Sequence, residues 1–191
     1  MLETRIKLGL ADQGRPLSAE EFVGAEFEEP YRYERMGGRL VVMSPSGLKH
    51  TQLASAILEH LYVYKSTHEG VIELIAPEGW MRISEHIDRI GDIAIYLEID
   101  GIHPDRIYET VPALMFEVVS EGSEERDYII KRREYYDAGV REYVIVDPIR
   151  KVATVLTRGP QDYVERELRA EDIYTTGQLP GFQLPLADLP W

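Results

Sequence analysis

A chain of 191 residues with no cysteine and a formal net charge of −13 has the length of one domain and enough bulk to bury a core unaided by disulfides. The missing thiols exclude a disulfide framework, a thiolate metal site and a cysteine nucleophile, and 44% hydrophobic with 29% charged residues excludes a disordered chain. The acidity suits nucleic acid poorly, because that binding relies on Lys and Arg displacing condensed counterions; a nucleic-acid function here needs positive charge gathered locally or borrowed from metal ions.

No apolar run reaches the roughly 18–20 residues of a membrane span. The N-terminus, Met1 to Arg15, lacks the apolar core and small-residue cleavage site of a signal peptide. The expectation is a cytoplasmic protein without membrane contact, folded as a single domain over residues 1–191.

Ser18-Ala-Glu-Glu21 has the form of a capping box and opens a short helix through about Ala25. Tyr31 to Met43 reads as a hairpin turning at Gly37-Gly38. From His50 to about Thr67, Leu53, Ile57, Leu61 and Tyr64 recur at helical spacing, and Gly70 ends the helix. Val71–Ile75 and Trp80–Ile83 read as two short strands and Ile93–Leu97 as a third, followed by a polar loop to Pro112. Ala113–Val119 is almost continuously apolar, as a central strand buried on both faces would be. A helix from about Ser123 to Ala138 stops at Gly139, and Glu142–Asp147 is the next buried strand. Val152–Leu156 and Tyr163–Glu167 read as antiparallel strands, and the tail around Leu179–Leu186 packs back across the domain. Strand–helix–strand over 113–147 predicts a parallel pair with a right-handed crossover. The class is α/β, a mixed sheet flanked by helices with added antiparallel strands.

Two carboxylates stand out. Asp92 opens a strand after Arg89-Ile-Gly91, and Glu117 interrupts the most apolar strand of the chain. An unpaired charge buried there is very costly, so Glu117 needs a cation, a proton or a metal. One reading is a buried ion pair with Arg or Lys. The other is that Asp92 and Glu117 converge on a hard divalent cation, since Mg²⁺ takes one or two protein carboxylates and keeps several waters. On the next helix Arg126, Lys131, Arg132 and Arg133 stand against one acid, Asp127. Asp127 and Lys131 share a face at i, i+4, and an ordinary surface ion pair explains Asp127 but not the concentration of basic residues.

An ordered series of motifs from about Tyr31 to Leu186 resembles the Uma-two family of restriction-endonuclease-like proteins, in the PD-(D/E)XK nuclease superfamily. It comprises Tyr33-Glu34 with Gly38 and Leu40-Val-Val-Met-Ser-Pro45, then His50, Arg89-Ile-Gly-Asp92 and Pro112-Ala-Leu-Met-Phe-Glu-Val-Val-Ser120. Asp127-x-x-x-Lys131-x-x-x-Tyr135-x-x-x-Gly139-Val140, Val146-Asp-Pro148 and Pro180-Gly-Phe-Gln-Leu-Pro-Leu186 follow. The resemblance implies a restriction-endonuclease-like core over about 31–168, with the N-terminal helix and C-terminal tail packed on it. It further implies an endonuclease hydrolysing DNA with Mg²⁺ or Mn²⁺. Asp92 and Glu117 would be metal ligands, the backbone carbonyl of Val118 a further one, and Lys131 the catalytic lysine. That lysine ordinarily lies two residues after the second carboxylate, where this chain has Val119. Lys131, Arg132 and Arg133 would contact nucleic acid.

Gly91 replaces the proline of the motif, Arg39 stands where a Glu is frequent, and Glu121 follows Ser120 in place of proline. Glu34 could reach the metal from the hairpin or serve an ion pair. His50 could touch phosphate, act as an acid, or simply cap its helix. A homodimer or higher homo-oligomer is expected from the apolar strands and tail. The alternative to a nuclease is a catalytically inactive binding or assembly module on the same fold.

Overall fold

In a computed structural model of the chain, residues 5–99 and 103–191 are described; the first four residues, and 100–102 of the polar loop expected before Pro112, lie outside them. Near the N-terminus β1 (Lys7–Leu8) is followed by α1 (Ala19–Val23) and β2 (Glu26–Phe27), and the two strands pair in parallel. The capping box forms: Glu21 N donates to Ser18 Oγ at 3.1 Å, and Ser18 N donates to Glu21 Oε2 at 2.7 Å. β3 (Arg32–Met36) and β4 (Arg39–Met43) make the expected hairpin. Gly37 and Gly38 both sit at positive φ (58° and 72°), which a two-residue hairpin turn of the favoured twist requires. α2 (Leu48–Thr67) buries Leu53, Ile57, Leu61 and Tyr64, each side chain contributing about 1.5–3 kcal/mol of apolar burial.

β5 (Leu74–Ser84) and β6 (Ile87–Tyr96) differ from expectation. The two short strands predicted at 71–75 and 80–83 are one strand, because nearly the whole of β5 pairs with β6, from Leu74 opposite Tyr96 to Ser84 opposite Ile87. Pro77 does not break it, since β5 pairs on one side alone and a proline there costs no ladder bond. β6 begins six residues earlier than predicted, so Asp92 lies inside a strand instead of opening one.

β7 (Leu114–Val118) is wholly buried. The helix that follows is wound as a π turn over Arg126–Ile130 and continues as α3 (Lys131–Ala138), ending at Gly139 with φ 104°. β8 (Glu142–Asp147), β9 (Val152–Arg158), β10 (Tyr163–Arg169), β11 (Ile173–Tyr174) and β12 (Leu184–Pro185) complete the chain. The eight-stranded sheet runs β10-β9-β8-β7-β6-β3-β4, with β5 beside β6. β7 and β8 are parallel, as the strand–helix–strand pattern predicts, and the neighbouring pairs are antiparallel.

Alternation along β7 separates two cores. Leu114, Phe116 and Val118 pack with α2 and with Leu179, Phe182, Leu184 and Leu186 of the tail. Met115 and Val119 pack with Tyr135 and Tyr136 of α3. The apolar side chains of β7, β8 and the tail are thus buried inside one chain. Among the described residues no helix is long and apolar enough to cross a membrane.

The space over β6 beside Asp92 is filled from β7: a Cβ added at Gly91 would lie 2.0 Å from Sδ of the fully buried Met115. Gly91→Ala should therefore cost about 1–3 kcal/mol of stability through overpacking. Urea unfolding checks this, and an unchanged midpoint would contradict the packing described.

Candidate active site

The register of β6 on β7 brings the two carboxylates together. Ile93 pairs with Phe116, Ala94 with Met115 and Ile95 with Leu114; one step further along the same register, Asp92 stands opposite Glu117. Both side chains are buried and line a cavity of about 330 Å³. Val118 N donates to Asp92 Oδ2 at 2.8 Å, and His50, from the first turn of α2, places Nε2 at 2.9 Å from the same oxygen.

α3 packs back over this face, as the sequence requires for Lys131 to take part. Lys131 Nζ donates to Glu117 Oε1 at 2.7 Å and lies 3.8 Å from both Glu34 Oε1 and Asp127 Oδ1. Tyr135, one turn on, donates its hydroxyl to the same Glu117 oxygen at 2.6 Å. The π turn sets this approach, with Lys131 N bonding to the carbonyl of Arg126 five residues back; such turns recur at functional sites.

Glu34 reaches the cavity but is fully engaged. Arg89 Nη1 donates to its Oε2 at 2.7 Å, and Ile90 N to its Oε1 at 3.1 Å. Arg89, fully buried, also grips Glu134 of α3 with Nε and Nη2 at 2.7 and 2.8 Å. One guanidinium thus ties β3, β6 and α3 around the cavity.

Burial acts to raise the Asp92 carboxyl, but the His50 ring, Lys131 and the Val118 N–H outweigh it and hold it well below the usual carboxylate range. Burial, opposed by Lys131 but reinforced by Asp92 and Asp127, pushes Glu117 up to about 8. Burial also works against the Lys131 charge, yet Glu117, Glu34, Asp127 and Asp92 together keep its ammonium protonated above its ordinary value.

The structure therefore brings together Asp92, Glu117, Lys131, Val118, Glu34 and His50. It does not bring Arg132 and Arg133 to the cavity. Arg132 bonds Glu165 on β10 at 2.6 Å, and Arg133 bonds Asp137 at 2.9 Å along its own helix. The cavity's other cations are Arg32 and Arg126. Asp127, which reads from the sequence as half of a surface pair, is buried, and its Oδ1 makes no hydrogen bond. Its spacing with Lys131 and Tyr135 (i, i+4, i+8) was the available signal for a shared inward stripe. Arg89 and Glu134 carried no such signal.

The donors suit a hard cation. Asp92 and Glu117 offer carboxylate oxygens at one cavity wall, which fits Mg²⁺ or Mn²⁺ better than a softer metal. Among the described residues no three His, Asp or Glu side chains gather as a closed cage. An ion would rest on two carboxylates and water, as Mg²⁺ commonly does.

A family model described as "Uma2: Putative restriction endonuclease" matches residues 19–187. No curated protein matches significantly. Among solved structures, the chain is similar to the crystal structure of a "putative nuclease belonging to DUF820" from Anabaena variabilis ATCC 29413. The two are 16% identical with a TM-score of 0.75, and the match covers 91% of this chain and 97% of that one. This likeness shows the fold, a mixed α/β sheet of the restriction-endonuclease type.

An acid whose native value of about 8 exceeds its ordinary 4.5 destabilises the fold as it ionises. The metal-free protein should therefore lose stability progressively as pH rises from about 5 to about 8. Glu117→Gln removes that slope, so unfolding free energies in EDTA should favour the variant increasingly as pH rises. A difference independent of pH would contradict the assignment.

Proposed function

The chain belongs to the Uma2 family, and on that premise we infer that it is an endonuclease hydrolysing DNA phosphodiester bonds with Mg²⁺ or Mn²⁺. The observation that carries this reading is the convergence of Asp92, Glu117 and Lys131 in one cavity, with the lysine seated on the buried carboxylate at 2.7 Å. Val119 stands where the resemblance would put the lysine, and on this reading Lys131, bonded to Glu117 from α3, serves in its stead.

Asp92 and Glu117 would hold the cation, with the Val118 carbonyl as a further oxygen ligand. When bound, the ion supplies Lewis-acid polarisation of a phosphoryl oxygen. The chain's own groups do the rest. The Lys131 ammonium, kept charged by the surrounding carboxylates, offers N–H donors to the negative charge that builds on phosphorus-bound oxygens in the transition state. The Tyr135 hydroxyl fixes the rotamer of Glu117. The His50 ring and the Val118 N–H orient Asp92. Arg89 holds Glu34 beneath Lys131 and anchors the helix that carries it.

Asp92→Ala and Glu117→Ala should each abolish metal-dependent nicking of supercoiled plasmid and cutting of single-stranded DNA while the protein stays folded. Lys131→Ala should slow turnover on the order of 10²–10³-fold, the scale of losing one transition-state donor, with a smaller effect on metal affinity. Cleavage retained in both carboxylate variants would contradict the site. Absence of metal-dependent cleavage in the unmodified protein on every substrate would favour a scaffold without activity.

A further inference from the structure

One guanidinium in the cavity has a free hydrogen-bonding edge. Arg32, on β3, is mostly buried, its side chain 14% exposed. Its Nη1 donates to Ser46 Oγ at 3.1 Å and to Asp92 Oδ1 at 3.2 Å. Its Nε and Nη2 are buried and make no hydrogen bond. Buried N–H groups are almost always paired, and leaving them unpaired is costly; an open guanidinium edge in a polar cavity is a receptor for an anion.

An anionic group already stands near that edge. Glu78 Oε1 lies 3.5 Å from Arg32 Nε, an ion pair that does not satisfy the N–H as a hydrogen bond. The Glu78 side chain is 65% exposed, and its backbone φ of 52° is a left-handed conformation that residues bearing a Cβ rarely adopt. Its carboxylate is therefore displaceable, unlike the buried Asp92 on the other side of the same guanidinium. Arg126, also on the cavity, is a weaker candidate: its side chain is 36% exposed and its Nη1 contacts the Met43 sulfur.

We propose that the Nε–Nη2 edge of Arg32 is the phosphate-binding subsite of this cavity and that the exposed Glu78 carboxylate is a stand-in anion, displaced when a phosphodiester enters. The planar fork matches two phosphate oxygens. Because Nη1 is bonded to Asp92, a phosphate on the free edge is held beside the carboxylates. This subsite rests on the nuclease reading above and names the group that gives an acidic chain its local affinity for a polyanion.

The test is fluorescence anisotropy of the full chain with a short labelled DNA duplex and a labelled single strand, in EDTA and in Ca²⁺, over a range of salt. Arg32→Gln should weaken binding about tenfold and make the log–log salt slope shallower by about one. Arg32→Lys should fall between, because it keeps charge without the fork. Glu78→Gln should tighten binding about threefold, and this gain should vanish in the Arg32→Gln background, as expected when two groups couple directly. If Arg32→Gln does not fold, by thermal melting, Arg32→Lys and Glu78→Gln still decide the matter. Unchanged affinity and slope on losing Arg32, or a Glu78→Gln gain that survives without Arg32, would overturn the subsite and leave the nuclease reading standing. No DNA binding by the unmodified protein in either buffer would overturn both.

Discussion

The rest of the structure is arranged around a carboxylate buried in a central strand of the sheet. Glu117 stands where β7 is otherwise wholly apolar, and leaving it there unpaired is among the most costly arrangements a fold can contain. Lys131 and Tyr135 meet it from α3, one with a charge and one with a hydroxyl, both on the same oxygen. That demand accounts for the π turn that advances Lys131 and for the inward stripe of Asp127, Lys131 and Tyr135 on a helix that also packs apolar side chains against the sheet.

A second tier of interactions holds the first. Arg89 bridges Glu34 and Glu134, joining the hairpin to α3 across β6. Buried ion pairs of this kind contribute little net stability compared with a hydrophobic replacement, and they lose far more when one partner is removed. Their value here is positional: removing Arg89 would leave Glu34 and Glu134 without the guanidinium that pairs both. The site is thus organised at the expense of stability, as functional clusters of titratable groups commonly are.

Much of this was legible before the fold. Helical spacing identifies α2, continuous apolar runs identify β7 and β8, and turn residues between apolar segments identify the β3–β4 hairpin and the β9–β10 pair. The Glu117 problem is visible in one line of sequence, and the family resemblance supplies Asp92 and Lys131 beside it. Elements held by pairing instead of pattern were not legible. β5 runs through Pro77 and Gly79 because β6 is beside it, and β6 begins at Ile87 for the same reason. Charge followed the same division. Arg132 and Arg133 are prominent in the sequence but bond outward, whereas Arg32, an unremarkable residue before the Tyr-Glu motif, turns into the cavity because strand alternation and the β3–β6 contact aim it there. Burial of Asp127 depended on how α3 packs, which local spacing constrains but does not decide.

The central claim is that the buried Glu117 and Asp92 form one cation site at the cavity wall. Anomalous diffraction from crystals soaked in Mn²⁺ tests it most directly. The account predicts a manganese peak between the two carboxylates, with the Val118 carbonyl within ligand distance and Lys131 still beside Glu117. Manganese bound elsewhere, or no peak at a concentration that saturates other Mg²⁺-dependent nucleases, would contradict it.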